Sequence, residues 1–355
     1  MKISILGTGG VGLGTAAFLA RAGHTPLLWS PSGKGTAAFA TGQPLVARGA
    51  IDFSFVPAVA ATCRQAVEES DAVLLCLPGF CHKATLDAVA PHLREGQPVV
   101  FSSHSSFGAL HLSKLLAARG VRVPIVVWGT TLTTGSRIES GVKVNTVREQ
   151  VDMSAVPASA ADAAHRLCTG LFGDRFVLRD GLLAIALSNV NPQNHLAIAL
   201  LNLTRMEHGE TWSQTQNVTP AVGNLIEALD LERLAIADAL GVQVKTVKAH
   251  FSSSFHVPQA SISEMNQQMF RNGHAGRGPS TAQSRYVLED VPFGLVPTAW
   301  LGRLVGVPAP LHEAGIAIFS AAYARDFTQD NDILPALDLD ALSFEELKRL
   351  ATEGF

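Results

Sequence analysis

A chain of 355 residues, 47% hydrophobic and 16% charged, is long enough for about two domains and too apolar to be disordered. A net charge of −3 with no lysine/arginine cluster gives no reason for a polyanionic partner, and no nucleic acid is expected to bind. No apolar run reaches the ~18 residues of a membrane span, and the N-terminal MKISILGTGG breaks at Gly7, too early for a signal peptide, so a cytoplasmic protein with no membrane partner is expected.

Lys2–Leu6, KISIL, reads as a short strand. GTGGVG follows from Gly7 to Gly12, and then the small-residue helix LGTAAFLARAGH. This is GxGxxG at Gly7, Gly9 and Gly12, in the strand–turn–helix setting that the dinucleotide motif requires. Gly7 permits the tight turn, Gly9 lets the backbone approach a pyrophosphate, and Gly12 lets the helix pack on the strand. Gly10 joins them at a helix N-terminus whose unpaired amides suit phosphate.

Further apolar, β-branched runs follow at 26–29, 72–78, 98–103 and 123–129, with TLDAVAPHL and SKLLAARG as helices between them. Buried parallel strands with crossover helices predict a doubly wound sheet. The second strand ends in LLWSPSGKG. Ser30 stands where an NAD-preferring site usually carries a carboxylate for the ribose 2′-OH, and Lys34 follows. The cofactor expected is therefore NADP(H), with NAD(H) left open. Pro78, after the next long strand, opens a turn at the cofactor edge of the sheet. His104, in SSHSSFG, falls on the same edge as a further candidate, with an ordinary loop histidine as the simpler reading. Cys63, Cys76, Cys81 and Cys168 follow no metal spacing and read as reduced thiols. The twelve histidines form no HxxxH or Cys/His knot, so no metal site is expected.

From about Gly181 the strand-like runs end and helical periodicity takes over. The fold class expected is α/β: an N-terminal Rossmann doubly wound sheet over 1–180, then an all-helical C-terminal domain over 181–355. NGHAGRGPST (Asn272–Thr281) has three glycines and reads as a mobile loop. Leu231–Ser252 imitates a helix-turn-helix with Gly241 in its turn. It lies mid-chain without a basic flank, so a non-catalytic, DNA-binding nucleotide sensor is a rival reading only.

NVNPQNHLAI (Asn189–Ile198) puts amides and an imidazole between two oily runs. Asn191 and His195 are four apart and share a helix face, and Asn202 falls on that face again. Pro192 suits the first helical turn with Asn191 as N-cap. Further on, SRYVLEDVPFG offers Glu289 and Asp290 just before Pro292. A carboxylate fixes the tautomer of a working histidine and stabilises its charged form, and Asp290 is the best-placed partner for His195.

NPQNH with its helix, and RYVLEDVPFGLVP beyond it, resemble the opine dehydrogenase family (octopine, nopaline and carboxyethyl-norvaline dehydrogenases). The likeness also takes in GTGGVG, LPGFCHKATLDAVAP, TTGSRIESGVKV and MEHGETW, and so covers nearly the whole chain. It implies a Rossmann domain followed by a helical domain. It implies His195 as general acid/base, Asn191 as a substrate-binding amide and Asp290 as the partner of the histidine. Arg137, Thr130 and Thr131 are implied donors to substrate carboxylates. The implied reaction is NAD(P)H-dependent reductive condensation of an L-amino acid with a 2-keto acid such as pyruvate. Partners would be these small molecules, with a homodimer left open. A ketopantoate-reductase-like or other 2-hydroxy/2-keto acid NADP dehydrogenase is the alternative enzyme, although such enzymes commonly use lysine as the acid/base.

Overall fold

The apolar runs of the first half form strands that share one sheet. The computed structural model describes residues 1–355, residue 340 by its backbone alone. Its strands are β1 (Lys2–Leu6), β2 (Thr25–Trp29), β3 (Leu45–Gly49), β4 (Phe53–Phe55), β5 (Ala58–Val59), β6 (Ala72–Leu75), β7 (Val99–Phe101), β8 (Ile125–Trp128), β9 (Thr133–Ile138), β10 (Gly141–Val147), β11 (Val151–Val156) and β12 (Phe176–Leu178). Eight of them order as β12-β11-β8-β7-β6-β1-β2-β5. β11 runs antiparallel to β8, and every other neighbouring pair in this sheet is parallel. β6, β7 and β8 are buried at every residue, which is why they read as unbroken apolar runs rather than alternating ones. The strand order reverses between β1 and β6, and the crevice at the carboxyl ends of these two strands is the ligand position of such sheets.

A second sheet, ordered β4-β3-β10-β9, has no counterpart in the sequence reading. Its central pair joins Leu45–Gly49 to Gly141–Val147 in parallel, so no local pattern announces it. Helix α1 (Gly10–Arg21) packs on this sheet as well as on β1 and β2. That double contact explains its glycine- and alanine-rich sequence. A Cβ at Gly10 would lie 2.1 Å from the carbonyl oxygen of Gly135 on β9, and one at Gly14 would lie 3.0 Å from Thr133 Oγ1. Thr133 Oγ1 also donates to the Val11 carbonyl at 3.1 Å. Small residues allow this approach, and the core of the unit continues through Ile3, Ile5, Leu13, Leu28, Val126 and Trp128.

The second half is helical. Its longer helices are Asn191–Leu201, Pro220–Ala239, Val247–Phe255, Ile262–Arg271, Val296–Leu304 and Pro310–Ala322. They share a core that includes Leu196, Ile198, Ile226, Leu229, Met265, Leu295 and Phe319. The helix-turn-helix likeness resolves into part of this core. Arg233, fully buried, donates from Nε and Nη2 to Asp230 Oδ1 at 2.9 and 2.6 Å and to the Lys245 carbonyl at 2.7 Å. Asp230 Oδ2 in turn accepts the amide of Val247, and Val247 and Phe251 are buried.

The compact units are Met1–Ala186 with Ala336–Phe355, and Leu187–Pro335. The division expected from sequence, 181–355 as one helical domain, is therefore corrected at its far end. Helix Phe344–Glu353 belongs to the sheet unit. Leu347 and Leu350 are buried, and the amide of Phe355 donates to Ser113 Oγ at 2.9 Å. Helical periodicity cannot tell which core an amphipathic helix covers. No helix among the described residues is long and apolar enough to cross a membrane.

The contact at Gly10 has a measurable consequence. Gly10→Ala must displace backbone atoms of β9 and should destabilise the nucleotide-free protein by about 1–3 kcal/mol, the usual scale for overpacking. Gly9, with nothing within 4 Å of a built Cβ, should tolerate alanine with no loss of melting temperature. Thermal unfolding of the two variants tests the pair, and equal melting temperatures would remove the contact as an explanation for the small-residue helix.

Candidate active site

In the sheet unit the turn after β1 is the best-formed feature. Gly7 has φ +110°, and a Cβ there would lie 2.4 Å from the Cys76 carbonyl oxygen, so the turn lies directly against the end of β6. A Cβ at Gly12 would strike the Gly7 carbonyl at 2.0 Å, which keeps helix and turn in contact. Gly9, by contrast, faces open space, and α1 begins at Gly10. A glycine turn that is closed on its inner side and open on its outer side, ahead of a helix N-terminus, fits a dinucleotide pyrophosphate. Ser30 directly follows β2, its hydroxyl 3.5 Å from that of Ser32, and Lys34 is exposed nearby in sequence. Pro78 leads from β6 into the short turn Gly79–Cys81.

Three other residues of this unit take less expected places. Thr130 and Thr131 are half-buried in the β8–β9 connection, where the Thr131 carbonyl accepts Arg148 Nε at 3.0 Å. Arg137, expected among substrate donors, instead reaches the carbonyls of Thr8 and Gly35 at 3.0 Å each. His104 is buried, and its Nε2 accepts the amide of Ala109 at 3.4 Å. Burial pushes its pKa down to about 3, so it is a neutral core histidine.

The helical unit carries the other group of candidates. Helix Asn191–Leu201 is buried from Pro192 to Ala199, which accounts for its oily flanks. Its start differs in detail from expectation. Val190 is the N-cap, and the side chain of Asn189 accepts the Asn191 amide at 3.0 Å. Asn189 thus does the capping expected of Asn191, whose own carboxamide is half-buried and makes no hydrogen bond among the described residues. Asn202 turns back to the Ile198 carbonyl at 3.0 Å, so it closes the helix rather than extending a polar stripe.

His195 and Asp290, 95 residues apart, meet as expected. Nδ1 of the histidine lies 2.7 Å from Asp290 Oδ2, and both residues are buried. Asp290 directly precedes the single π-turn Val291–Leu295. That turn is fixed from two sides: a Cβ at Gly294 would lie 2.3 Å from Pro192 Cγ, and Asn331 Nδ2 donates to the Pro292 carbonyl at 2.7 Å. The carboxylate is thereby held in register with the first turn of the histidine helix. Burial lowers the pKa of His195, the Asp290 carboxylate opposes that fall by its charge and its hydrogen bond, and the Arg285 guanidinium adds to it. With Nδ1 committed to Asp290, Nε2 is the nitrogen left for chemistry.

Two residues were missed in the sequence. Tyr286 lies flat on His195, ring centroids 3.5 Å apart and planes 10° from parallel. Its hydroxyl donates to Gln214 Oε1, and burial lifts its pKa to about 12, so it remains a donor. Arg285 is exposed, with no ion pair among the described residues, and its charge is felt by His195. Both belong to the same RYVLED run as Asp290, and Tyr286 is four residues before it. Helical spacing around the acid, rather than around the histidine, was the available signal. Gln214 is itself anchored. Its amide donates to the Gly276 carbonyl at 3.1 Å, Ser213 and Thr215 hydroxyls donate to the Ala275 carbonyl at 2.8 and 2.7 Å, and Trp212 Nε1 donates to the Pro279 carbonyl at 3.0 Å. The loop Asn272–Thr281, expected to be mobile from its glycines, is tied down by these bonds. No group of three or more metal-ligating side chains is found among the described residues.

Comparison with known proteins accounts for both units. Residues 3–158 match the model of ketopantoate reductase PanE/ApbA, and residues 178–323 match that of the NAD/NADP octopine/nopaline dehydrogenase α-helical domain. With the glycine turn at the switch point of the sheet, they define the class: an NAD(P)-dependent oxidoreductase. Full-length relatives narrow it. An opine dehydrogenase of Arthrobacter sp. (strain 1C) is 30% identical over 355 residues, 96% of each chain. Protein ocs of Agrobacterium vitis is 23% identical over 87% of each chain. The chain belongs to the opine dehydrogenase family. Its fold is that of octopine dehydrogenase solved with NADH and L-arginine, with a TM-score of 0.80 at 15% identity over 99% of this chain and 98% of that one. A ketopantoate reductase from Ralstonia eutropha JMP134 is less similar, with a TM-score of 0.61 at 18% identity over 90% and 98%.

The stack on His195 predicts a specific defect. Tyr286→Leu removes the ring that fixes the imidazole plane, whereas Tyr286→Phe keeps it. Turnover should fall at least about tenfold in the leucine variant, on the general scale of 10²–10⁴ for acid/base catalysis, and much less in the phenylalanine variant. Steady-state rates with saturating cofactor provide the comparison, and equal rates in the two variants would leave the stack without a role.

Proposed function

We propose that this protein joins the amine of an amino acid to the carbonyl carbon of a 2-keto acid and reduces the product with NAD(P)H. One observation carries the reading: a buried imidazole held by a carboxylate at 2.7 Å, with the exposed guanidinium of Arg285 close enough to influence it. Such a pair moves protons without a metal ligand set, and a neighbouring cation suits a substrate carboxylate. Octopine dehydrogenase has been solved with L-arginine and with pyruvate, an amino acid and a keto acid, which supports the same substrate classes here.

The proton bookkeeping suits a histidine kept neutral by burial. Neutral His195 takes a proton at Nε2 from the substrate ammonium, and Asp290 stabilises the imidazolium that results. The freed amine attacks the keto carbon. The carbinolamine loses its hydroxyl as water when His195 returns the proton, leaving a C=N bond. Asn191, released from capping, offers its carboxamide to the keto acid, and Arg285 holds a carboxylate. When bound, the reduced nicotinamide supplies the hydride that reduces the C=N carbon, and the product amine takes up one proton from solvent.

The test is a substrate matrix. NADPH and NADH oxidation should require both a keto acid and an amino acid, and mass spectrometry should find an N-(carboxyalkyl)amino acid. Equally fast oxidation with keto acid alone would favour the keto-acid-reductase alternative and overturn the proposal. His195→Ala should lower turnover at least about 100-fold while nucleotide affinity is retained.

The pH dependence has a definite sign. Burial places the His195 pKa below its ordinary 6.5, so the neutral, proton-accepting form persists below that value. The rate of condensation should fall on the acid side only beneath pH 6.5. Asp290→Asn removes the group that holds this pKa up, so any residual activity should show its acid limb at still lower pH. An acid limb shifted upward in that variant would contradict the assignment.

A further inference from the structure

Arg137 stands on β9 in the second sheet, yet its side chain ends at the nucleotide edge of the first. Nη1 donates to the carbonyl of Thr8, in the turn after β1, and Nη2 to the carbonyl of Gly35, in the loop after β2, both at 3.0 Å. One guanidinium therefore ties together the two loops that flank the ribose and phosphates of a dinucleotide in this fold. The approach is set by the backbone: Gly135, two residues before Arg137, touches Gly10 at the start of α1. Phe39 supports the cation from one side, with its ring centroid 5.8 Å from the guanidinium carbon.

The surroundings suit an anion. A Cβ at Gly35 would fall 1.9 Å from Thr8 Oγ1 and 3.2 Å from Ser30 Oγ, so Thr8, Ser30 and Gly35 converge on one spot. Ser32 and Lys34 complete the β2 loop, and none of these residues is acidic. Two of the five N–H groups of Arg137 are spent on carbonyls, and the side chain is exposed. Three donors and a full positive charge remain, on a group already held in place. A pre-positioned guanidinium binds phosphate with little further ordering. The adenosine 2′-oxygen is read at the end of the second strand, which is where Ser30 and Gly35 lie.

We propose that Arg137 is the residue that selects NADP(H), by pairing with the 2′-phosphate beside Ser30 while bracing the two loops. The proposal rests on nucleotide binding at the glycine turn and is independent of the amino acid and keto acid. It is tested on the full chain by equilibrium titration with NADPH, NADH, 2′,5′-ADP and 5′-ADP, read by fluorescence or calorimetry without turnover. Arg137→Met should weaken NADPH and 2′,5′-ADP by at least about tenfold, the scale of a lost hydrogen bond to a charged group, and change NADH and 5′-ADP less than about threefold. Arg137→Lys, which keeps the charge, should recover part of the loss and carries the same comparison if the methionine variant does not fold. Equal weakening of all four ligands would mean that Arg137 only braces the loops. Unchanged 2′,5′-ADP affinity would remove it from the 2′-phosphate site. Either result overturns the proposal, and neither bears on whether an opine is the product.

Discussion

The buried polar centre of the helical unit depends on one contact, between Nδ1 of His195 and the carboxylate of Asp290. The helix that carries the histidine is buried over eight successive residues, Pro192 to Ala199. Burial alone would make the imidazole a permanently neutral core residue, as it does for His104 in the other unit. The carboxylate opposes that tendency without abolishing it. The two influences act on one ring, burial against its charged form and the carboxylate for it, and the proposed proton transfer would draw on that opposition. The contact also constrains the fold. Removing the imidazole would leave a buried carboxylate without its hydrogen-bond partner, and the Pro192–Gly294 approach and the Asn331 bond hold the segment that carries that carboxylate in place.

The sheet unit meets a different constraint, that of bringing backbone close to phosphate. It does so by gripping α1 between two sheets. Gly10 against Gly135 is the tightest point of that grip, and the same β9 strand carries Arg137 onward to Thr8 and Gly35. The second sheet, which a doubly wound fold does not need, thus reaches the nucleotide edge through the Arg137 side chain. Strand β9 both packs against a small-residue helix and supplies a cation to the loops.

How much of this was legible in the sequence follows from the range of each interaction. GxGxxG between a strand and a helix is local, and so was its place in the fold. The parallel strands were readable because full burial makes them continuous apolar runs. His195 and its place one turn inside a helix followed from spacing. The pairing with Asp290 drew on a carboxylate expected on chemical grounds and on family likeness, since 95 residues separate the two. What escaped was non-local or directional. β3 pairs with β10 across nearly a hundred residues. Arg137 was identified as a donor, but its target depends on which sheet β9 joins. Tyr286 is one helical turn before Asp290, a spacing that is legible, but its stacking on the His195 ring is a matter of side-chain direction that spacing does not give. The glycines of 272–281 suggested freedom, whereas the carbonyls of Ala275 and Pro279 in that loop serve as acceptors for Ser213, Thr215 and Trp212.

The return of the chain to its first unit has a consequence for how the molecule is made. Leu187–Pro335 is an insertion within the sheet unit, whose last piece, Ala336–Phe355, is synthesised after the whole of the helical unit. Domains emerging from the ribosome tend to fold in order. Here the inserted unit has all its residues available first, while the nucleotide-binding unit waits with Ser113 and one face of β11 uncovered until helix Phe344–Glu353 arrives. The glycine turn of residues 7–12 therefore belongs to the unit that is completed after the inserted one.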